Sequence, residues 1–202
     1  MTFLFLSLGC RSIPSQGTSV GNPTEMTILL AQSNEVKIDT FSIDFSEISF
    51  ETNEDVSEVV DIETLIDQNN HIIEVPSGEW KTISFTLHSP LSIQGNTATG
   101  STIELSLDLA EFFLIAEDPI LFKENAFILE LAEPNWLSHI NAQYDSTDDV
   151  VIDSESMQHD SLIQEIQQKS SLFYDVDRDR QISDEERTEK VMSQDREWID
   201  ED

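Results

Sequence analysis

Apolar and polar residues alternate through most of this chain, and the alternation predicts strands. Phe41, Ile43 and Phe45 recur at every second position, then Ile48 and Phe50 continue in the opposite phase. A phase slip inside one apolar stretch predicts a bulge or bend. Residues 59–66 and 71–75 are short candidate strands, and Pro76-Ser-Gly78 reads as a turn. Ile83, Phe85 and Leu87 alternate next, then Leu91 and Ile93, followed by Gly95-Asn96 as a second turn signal. The clearest case is residues 102–109. Ile103, Leu105, Leu107 and Leu109 point one way, while Thr102, Glu104, Ser106 and Asp108 point the other. One wet face and one dry face suit an antiparallel sheet. Residues 112–115 and the alternating Phe127, Leu129 and Leu131 add two more strands. Turns recur about every ten residues, which predicts an antiparallel sandwich or barrel of about seven or eight strands.

Toward the C-terminus the period changes. Residues 145–156 are acidic and polar and read as a linker or a short edge strand. Ser161 and Gln164 then have capping-box spacing, and Leu162, Ile166 and Phe173 fall on one face of a helix. That reading carries a helix directly into Asp175.

Five segments follow. Residues 1–9 are a signal-like apolar segment, and 10–25 a flexible tether. Residues 26–144 form a β-sandwich, 145–158 an acidic linker and 159–202 a helix-loop-helix. The predicted class is therefore mainly β, with a C-terminal helical appendage.

Charge narrows the list of partners. The chain has 41 acidic residues against 10 basic ones, a formal −31 over 202 residues. Such a surface repels phosphate backbones, so nucleic acid is not an expected partner. It also repels anionic lipid headgroups, which leaves covalent or apolar means of membrane attachment. Divalent cations and basic proteins are its natural electrostatic partners. With 38% hydrophobic residues and eleven Phe, the chain can still bury a core.

Candidate enzyme chemistry is sparse. His71, His88, His139 and His159 are scattered without zinc-ligand spacing. The sequence has no G-x-S-x-G elbow and no phosphate-cradling Gly-rich loop. No enzymatic role is expected. Two alternatives stay open: a carbohydrate- or peptide-binding sandwich with Trp80 and Trp136 on its surface, and a hydrolase using surface carboxylates.

One segment specifies a ligand. Asp175-Val-Asp177-Arg-Asp179-Arg-Gln181-Ile182-Ser183-Asp-Glu-Glu186 places acids at relative positions 1, 3, 5 and 12, a β-former at 8 and a hydroxyl at 9. Calcium takes about six to eight oxygens at ~2.3–2.6 Å. A tight loop that turns alternate side chains inward would supply three of them from Asp175, Asp177 and Asp179. Gln181 would offer its backbone carbonyl, and Ser183 a hydroxyl or a bridging water. Glu186 can reach back with both carboxylate oxygens. Ser183 and Glu186 also have capping-box spacing, which would start a helix there.

These residues resemble the EF-hand calcium-binding family. The resemblance implies a helix on each side of the loop and an affinity in the ~10⁻⁴–10⁻³ M range of extracellular modules. Arg180 stands where the family has glycine. That position needs a left-handed backbone, at a cost of ~1–2 kcal/mol for a non-glycine residue. EF-hands usually come in pairs. Asp145, Thr147, Asp149, Ile152 and Asp153 have the spacing of a degenerate partner, but Ser156 at its twelfth position cannot chelate with two oxygens.

Cys10, the single cysteine, directly follows the apolar run Phe3-Leu-Phe-Leu-Ser-Leu8-Gly9. This arrangement resembles the lipobox of bacterial lipoproteins. It implies cleavage before Cys10, acylation there, and a lipid-anchored protein of the cell envelope, on the outer membrane in a two-membrane bacterium. A calcium-binding exported lipoprotein with a structural or surface-interaction role, meeting a surface protein or glycan, is the resulting expectation.

Overall fold

A computed structural model describes residues 24–34, 36–52, 57–60, 65–66, 71–97, 100–138 and 149–194. Cys10, His139, Trp198 and the apolar leader lie outside the described residues, as do nearly all of the tether and residues 195–202 of the expected exit helix.

The strands in chain order are β1 (Thr24–Leu30), β2 (Val36–Glu51), β3 (Ser57–Val60), β4 (Leu65–Ile66) and β5 (His71–Val75). Next come β6 (Gly78–Leu87), β7 (Leu91–Thr97), β8 (Thr102–Leu107), β9 (Glu111–Phe122) and β10 (Ala126–Leu131). After β11 (Val150–Ile152) come helix α1 (His159–Lys169), strand β12 (Ser171–Tyr174), the one-turn helix α2 (Asp184–Arg187) and strand β13 (Lys190–Ser193). The mainly β class is as expected, but there are thirteen strands among the described residues and they form one curled sheet. Its order is β11-β8-β7-β2-β6-β9-β13-β12-β10-β1-β5, with β3 and β4 paired to β2.

The sheet is mixed rather than antiparallel throughout. β1 runs parallel to β10, and β11 parallel to β8. β10 shows why alternation misled there. All six of its residues are buried, so both faces are covered, as is usual for parallel strands. β8 keeps the expected wet and dry faces.

The phase slip in β2 is a bulge. Its register against β6 shifts between Phe45 and Glu47. Upstream of the bend β2 pairs with β7, and downstream with β6, so one strand serves two parts of the curl. Aromatic side chains fill the inside. Phe45, Phe85 and Phe112 cluster on β2, β6 and β9, with the last two stacked at 4.6 Å between ring centroids. A second series runs Trp80–Phe50–Phe122–Phe127–Tyr174 and reaches β12.

Gly95-Asn96 does not form a turn and lies within β7. A Cβ at Gly95 would sit 2.4 Å from the Lys37 carbonyl oxygen, so the glycine permits close approach of β2.

The largest correction concerns the C-terminus. The expected helix-loop-helix is not formed. Helix α1 begins at His159, capped by Gln158 without a side-chain bond, so the Ser161–Gln164 box is not used. Leu162 and Ile166 are buried as expected. The His159 ring nitrogen Nε2 accepts from the Asp108 N–H, which fixes the start of α1 beside β8. The helix then stops. Ser170 is extended, its hydroxyl donates to the Ile166 carbonyl and accepts from the Ala132 N–H. Residues 171–174 enter the sheet as β12, carrying Phe173 with them. Tertiary pairing outweighs the local helical spacing here: β12 gains a partner on each side, β10 and β13. Residues 150–152 form a short edge strand at one end of the sheet. No helix among the described residues is long and apolar enough to cross a membrane.

Candidate metal centre

The acidic loop connects β12 to β13, so it closes an antiparallel hairpin inside the sheet. Its first acid is fixed by the strand before it. Tyr174 pairs with Phe127, and the Asp175 N–H donates to the Ala126 carbonyl at the start of β10. The chain then coils tightly. Asp177 Oδ1 accepts from the Asp179 N–H, and Asp179 Oδ1 accepts from the Gln181 N–H. Short side chains that bond two residues onward stabilise such turns. Between these bonds, Arg178 and Arg180 take left-handed backbones at φ 61° and 64°. The predicted demand on position 6 is therefore met by an arginine, and position 4 carries the same strain. Because the folded loop already adopts this shape, the cost falls on folding more than on metal affinity.

The exit is built by Ser183. Its hydroxyl accepts from the Glu186 N–H, while the Glu186 carboxylate accepts from the Ser183 N–H and hydroxyl. The predicted Ser183–Glu186 capping box is present. The other oxygen of Glu186 accepts from the Val176 N–H at 2.8 Å. Glu186 thus ties the two ends of the loop together.

The result is a convergence of oxygens. Asp175, Asp177 and Glu186 each place a carboxylate oxygen within 4.8 Å of the others. Among the described residues no other trio of His, Cys, Asp or Glu gathers so closely. Asp175 is only 4% exposed, and its Oδ1 has no hydrogen-bond partner among the described residues. Its Oδ2 accepts from the Arg180 N–H at 3.3 Å. Burial pushes the Asp175 carboxyl above its ordinary range, and the nearby charges of Glu186 and Asp177 push the same way, against the pull of backbone N–H groups. Burial would also raise Glu186, but the N–H groups of Ser183 and Val176 and the Ser183 hydroxyl outweigh it and hold that carboxyl below its ordinary range.

A buried carboxylate oxygen without a donor is costly unless a cation faces it. The donor set is all oxygen, which suits calcium. Of the six predicted ligands, three are brought together as carboxylates. Asp179 lies outside that trio and uses its Oδ1 in the turn. Ser183 serves as the helix cap, and the Gln181 side chain is exposed at the loop surface.

Two residues that the sequence reading missed anchor the loop. Arg187, next to Glu186 on α2, donates two bonds to the Glu130 carboxylate at 2.6 and 2.9 Å. Its guanidinium also sits 5.9 Å from the Phe173 ring centroid. The bonds to Glu130 hold the Arg187 proton more firmly than usual. Glu130 is 6% exposed, the next-to-last residue of β10. The available signal was an acid inside the apolar run Phe127-Ile-Leu-Glu130-Leu. The pair lines an open cleft of about 590 Å³ together with loop residues Asp179 to Ile182.

The other candidates resolve differently. Trp80 and Trp136 are 4% and 2% exposed, and their Nε1 groups donate to the Pro76 and Ala31 carbonyls. Both are core residues, with no open ring face for a sugar. In the described part of the degenerate partner loop, Ile152 lies in β11, Asp149 accepts from the Thr102 N–H, and Asp153 accepts from the Glu155 N–H. Asp145 and Thr147 lie outside the described residues.

No protein-family model, curated protein or solved structure matches this chain.

Proposed function

We propose that this protein binds one calcium ion structurally, at the loop joining β12 and β13, and that the ion secures the hairpin within the sheet. The observation that carries the reading is that the carboxylate gathered with those of Asp177 and Glu186 belongs to buried Asp175, whose Oδ1 has no hydrogen-bond partner among the described residues. Asp179, the Gln181 carbonyl and Ser183 would complete the ligand set, directly or through water. When bound, calcium supplies the positive charge that offsets crowded carboxylates. The surrounding chain does the rest: two left-handed residues curl the loop, the Ser183 cap orients Glu186, and β10 holds Asp175.

Position in the sheet gives the ion its role. β12 and β13 are the only strands linking β9 on one side to β10 on the other among the described residues. An ion in their connecting loop acts on the joint between the two parts of the sheet. The loop closes a hairpin within the sheet rather than separating the two helices of a calcium sensor, which favours stabilisation by linkage. An exported, lipid-anchored protein acylated at Cys10 would meet the calcium concentrations such a site needs. Its acidic surface suits envelope architecture or surface interaction rather than catalysis.

The test is isothermal calorimetry at neutral pH. One calcium site with a dissociation constant of ~10⁻⁴–10⁻³ M is expected, abolished in Glu186→Gln. No heat in millimolar calcium ends the proposal. Mass spectrometry of the native N-terminus tests the acyl anchor separately.

A further inference from the structure

Helix α2 has only four residues, Asp184–Arg187. Isolated helices below about 12–15 residues are marginal, so α2 cannot orient its side chains by its own rigidity. Yet Glu186 must be aimed to within a fraction of an ångström to chelate with both oxygens. Something outside the helix has to fix its rotation.

The amino end of α2 is fixed by the Ser183 cap. Its last residue is fixed by Arg187, which forms two parallel bonds to Glu130 and lies against Phe173. A two-bond arginine–carboxylate contact sets orientation as well as distance. The same strand holds the other end of the cage, since the Ala126 carbonyl accepts from the Asp175 N–H. β10 is therefore a common frame. Ala126 references the first ligand and Glu130 references the last.

Resting on the calcium reading above, we infer that Arg187, clamped to Glu130, is a positioning residue for the metal cage, so that a sheet residue outside the loop sets its calcium affinity. Arg187 itself, a cation, ligates nothing. Its part is to hold the backbone from which Glu186 extends.

Removing one partner alone would strand a buried charge and risks unfolding. Replacing both avoids that. In Arg187→Met with Glu130→Leu, an apolar pair of similar volume keeps the sheet packed and removes the clamp. Calcium affinity, read by calorimetry, is expected to fall roughly ten- to a hundredfold, the usual cost of losing a group that orients a metal ligand. Terbium luminescence lifetimes in H₂O and D₂O give a readout that general destabilisation would not move. With Glu186 no longer chelating through both oxygens, the bound ion should gain about one water. Arg187→Lys, which keeps the charge but gives up the second bond, should fall between wild type and the double variant. Exchanging the partners, Arg187→Glu with Glu130→Arg, should recover part of the affinity. Folded variants with wild-type affinity and ion hydration would overturn the clamp while leaving the calcium site standing. A wild-type protein that takes up neither calcium nor terbium would overturn the underlying site.

Discussion

The two margins of the β12–β13 hairpin are held very differently. β12 pairs with β10 over four residue pairs, from Phe127↔Tyr174 to Glu130↔Ser171. Among the described residues β13 meets β9 at one, Ser193↔Ile115. A cavity of about 230 Å³ lies beside that pair, lined by Glu117, Asp118 and Ile120 of β9 and by residues 190–193 of β13. The β12 margin is further reinforced by the Arg187–Glu130 contact and the Phe127–Tyr174 ring contact. The difference teaches where the metal loop belongs mechanically. It rides on β10, and the β13–β9 margin is the less paired of the hairpin's two sides. A ligand that stiffens the hairpin should therefore be felt most at its less paired margin, because the strong one has little freedom left to lose.

The strong margin can be broken directly. Phe127 is fully buried, stacked on Phe122 at 4.0 Å and beside Tyr174. Phe127→Ala should cost ~3–5 kcal/mol in urea denaturation, with cavity formation as the cause. A loss below 1 kcal/mol would mean that this margin is not the anchor described.

Calcium should sharpen the contrast. At a concentration a hundredfold above its dissociation constant it should add ~2.7 kcal/mol to stability. Amide exchange should slow most at Lys190–Ser193, and little in β7 and β8. Uniform slowing across all strands would contradict a local splice.

Asp175 gives a test with a sign. Its folded-state carboxyl is raised above the ordinary 3.8, chiefly by burial. Its ionised form is thus penalised in the metal-free fold. The penalty is absent below the ordinary value and present once pH rises through the raised one. Asp175→Asn should therefore stabilise the metal-free protein by ~1 kcal/mol at neutral pH, with the gain fading as pH falls toward 4, and should abolish calcium binding. Glu186 runs the other way: its lowered carboxyl stabilises the fold above the ordinary 4.5 and loses that contribution as pH falls through its folded value. A metal-free Asp175→Asn variant less stable than wild type at neutral pH would show the buried oxygen to be satisfied.

The smallest effect separates strain in the fold from strain on binding. Arg180 already has φ 64°. Arg180→Gly relieves that strain but gains unfolded-chain entropy, so the net gain should be at most ~1 kcal/mol. Calcium affinity should change less than threefold. A tenfold tightening would mean that the loop takes its curled shape only when the ion arrives.

Much of the β content was legible along the chain. Strands β6 and β8 and the bend in β2 follow from side-chain alternation, a property each segment carries locally. The loop was legible because chelation by one continuous segment imposes fixed spacing. β12 was not, since Leu162, Ile166 and Phe173 obey helical spacing and Ser-Leu-Phe-Tyr is too short to show a period of two. Neither was Glu130, 57 residues from Arg187 and invisible to any local pattern.

Residue spacing alone thus set which acids can converge, which strands have a dry face, and where Ser183 starts a turn of helix. Long-range pairing settled the rest: that the loop closes a hairpin instead of separating two helices, that β10 runs parallel to β1 with both faces covered, and that Arg187 finds Glu130. Backbone hydrogen bonds between strands cost nothing to specify locally and are won only once distant segments meet. The burial that leaves Asp175 Oδ1 without a donor arises in the same way, from neighbours that adjacent sequence does not name.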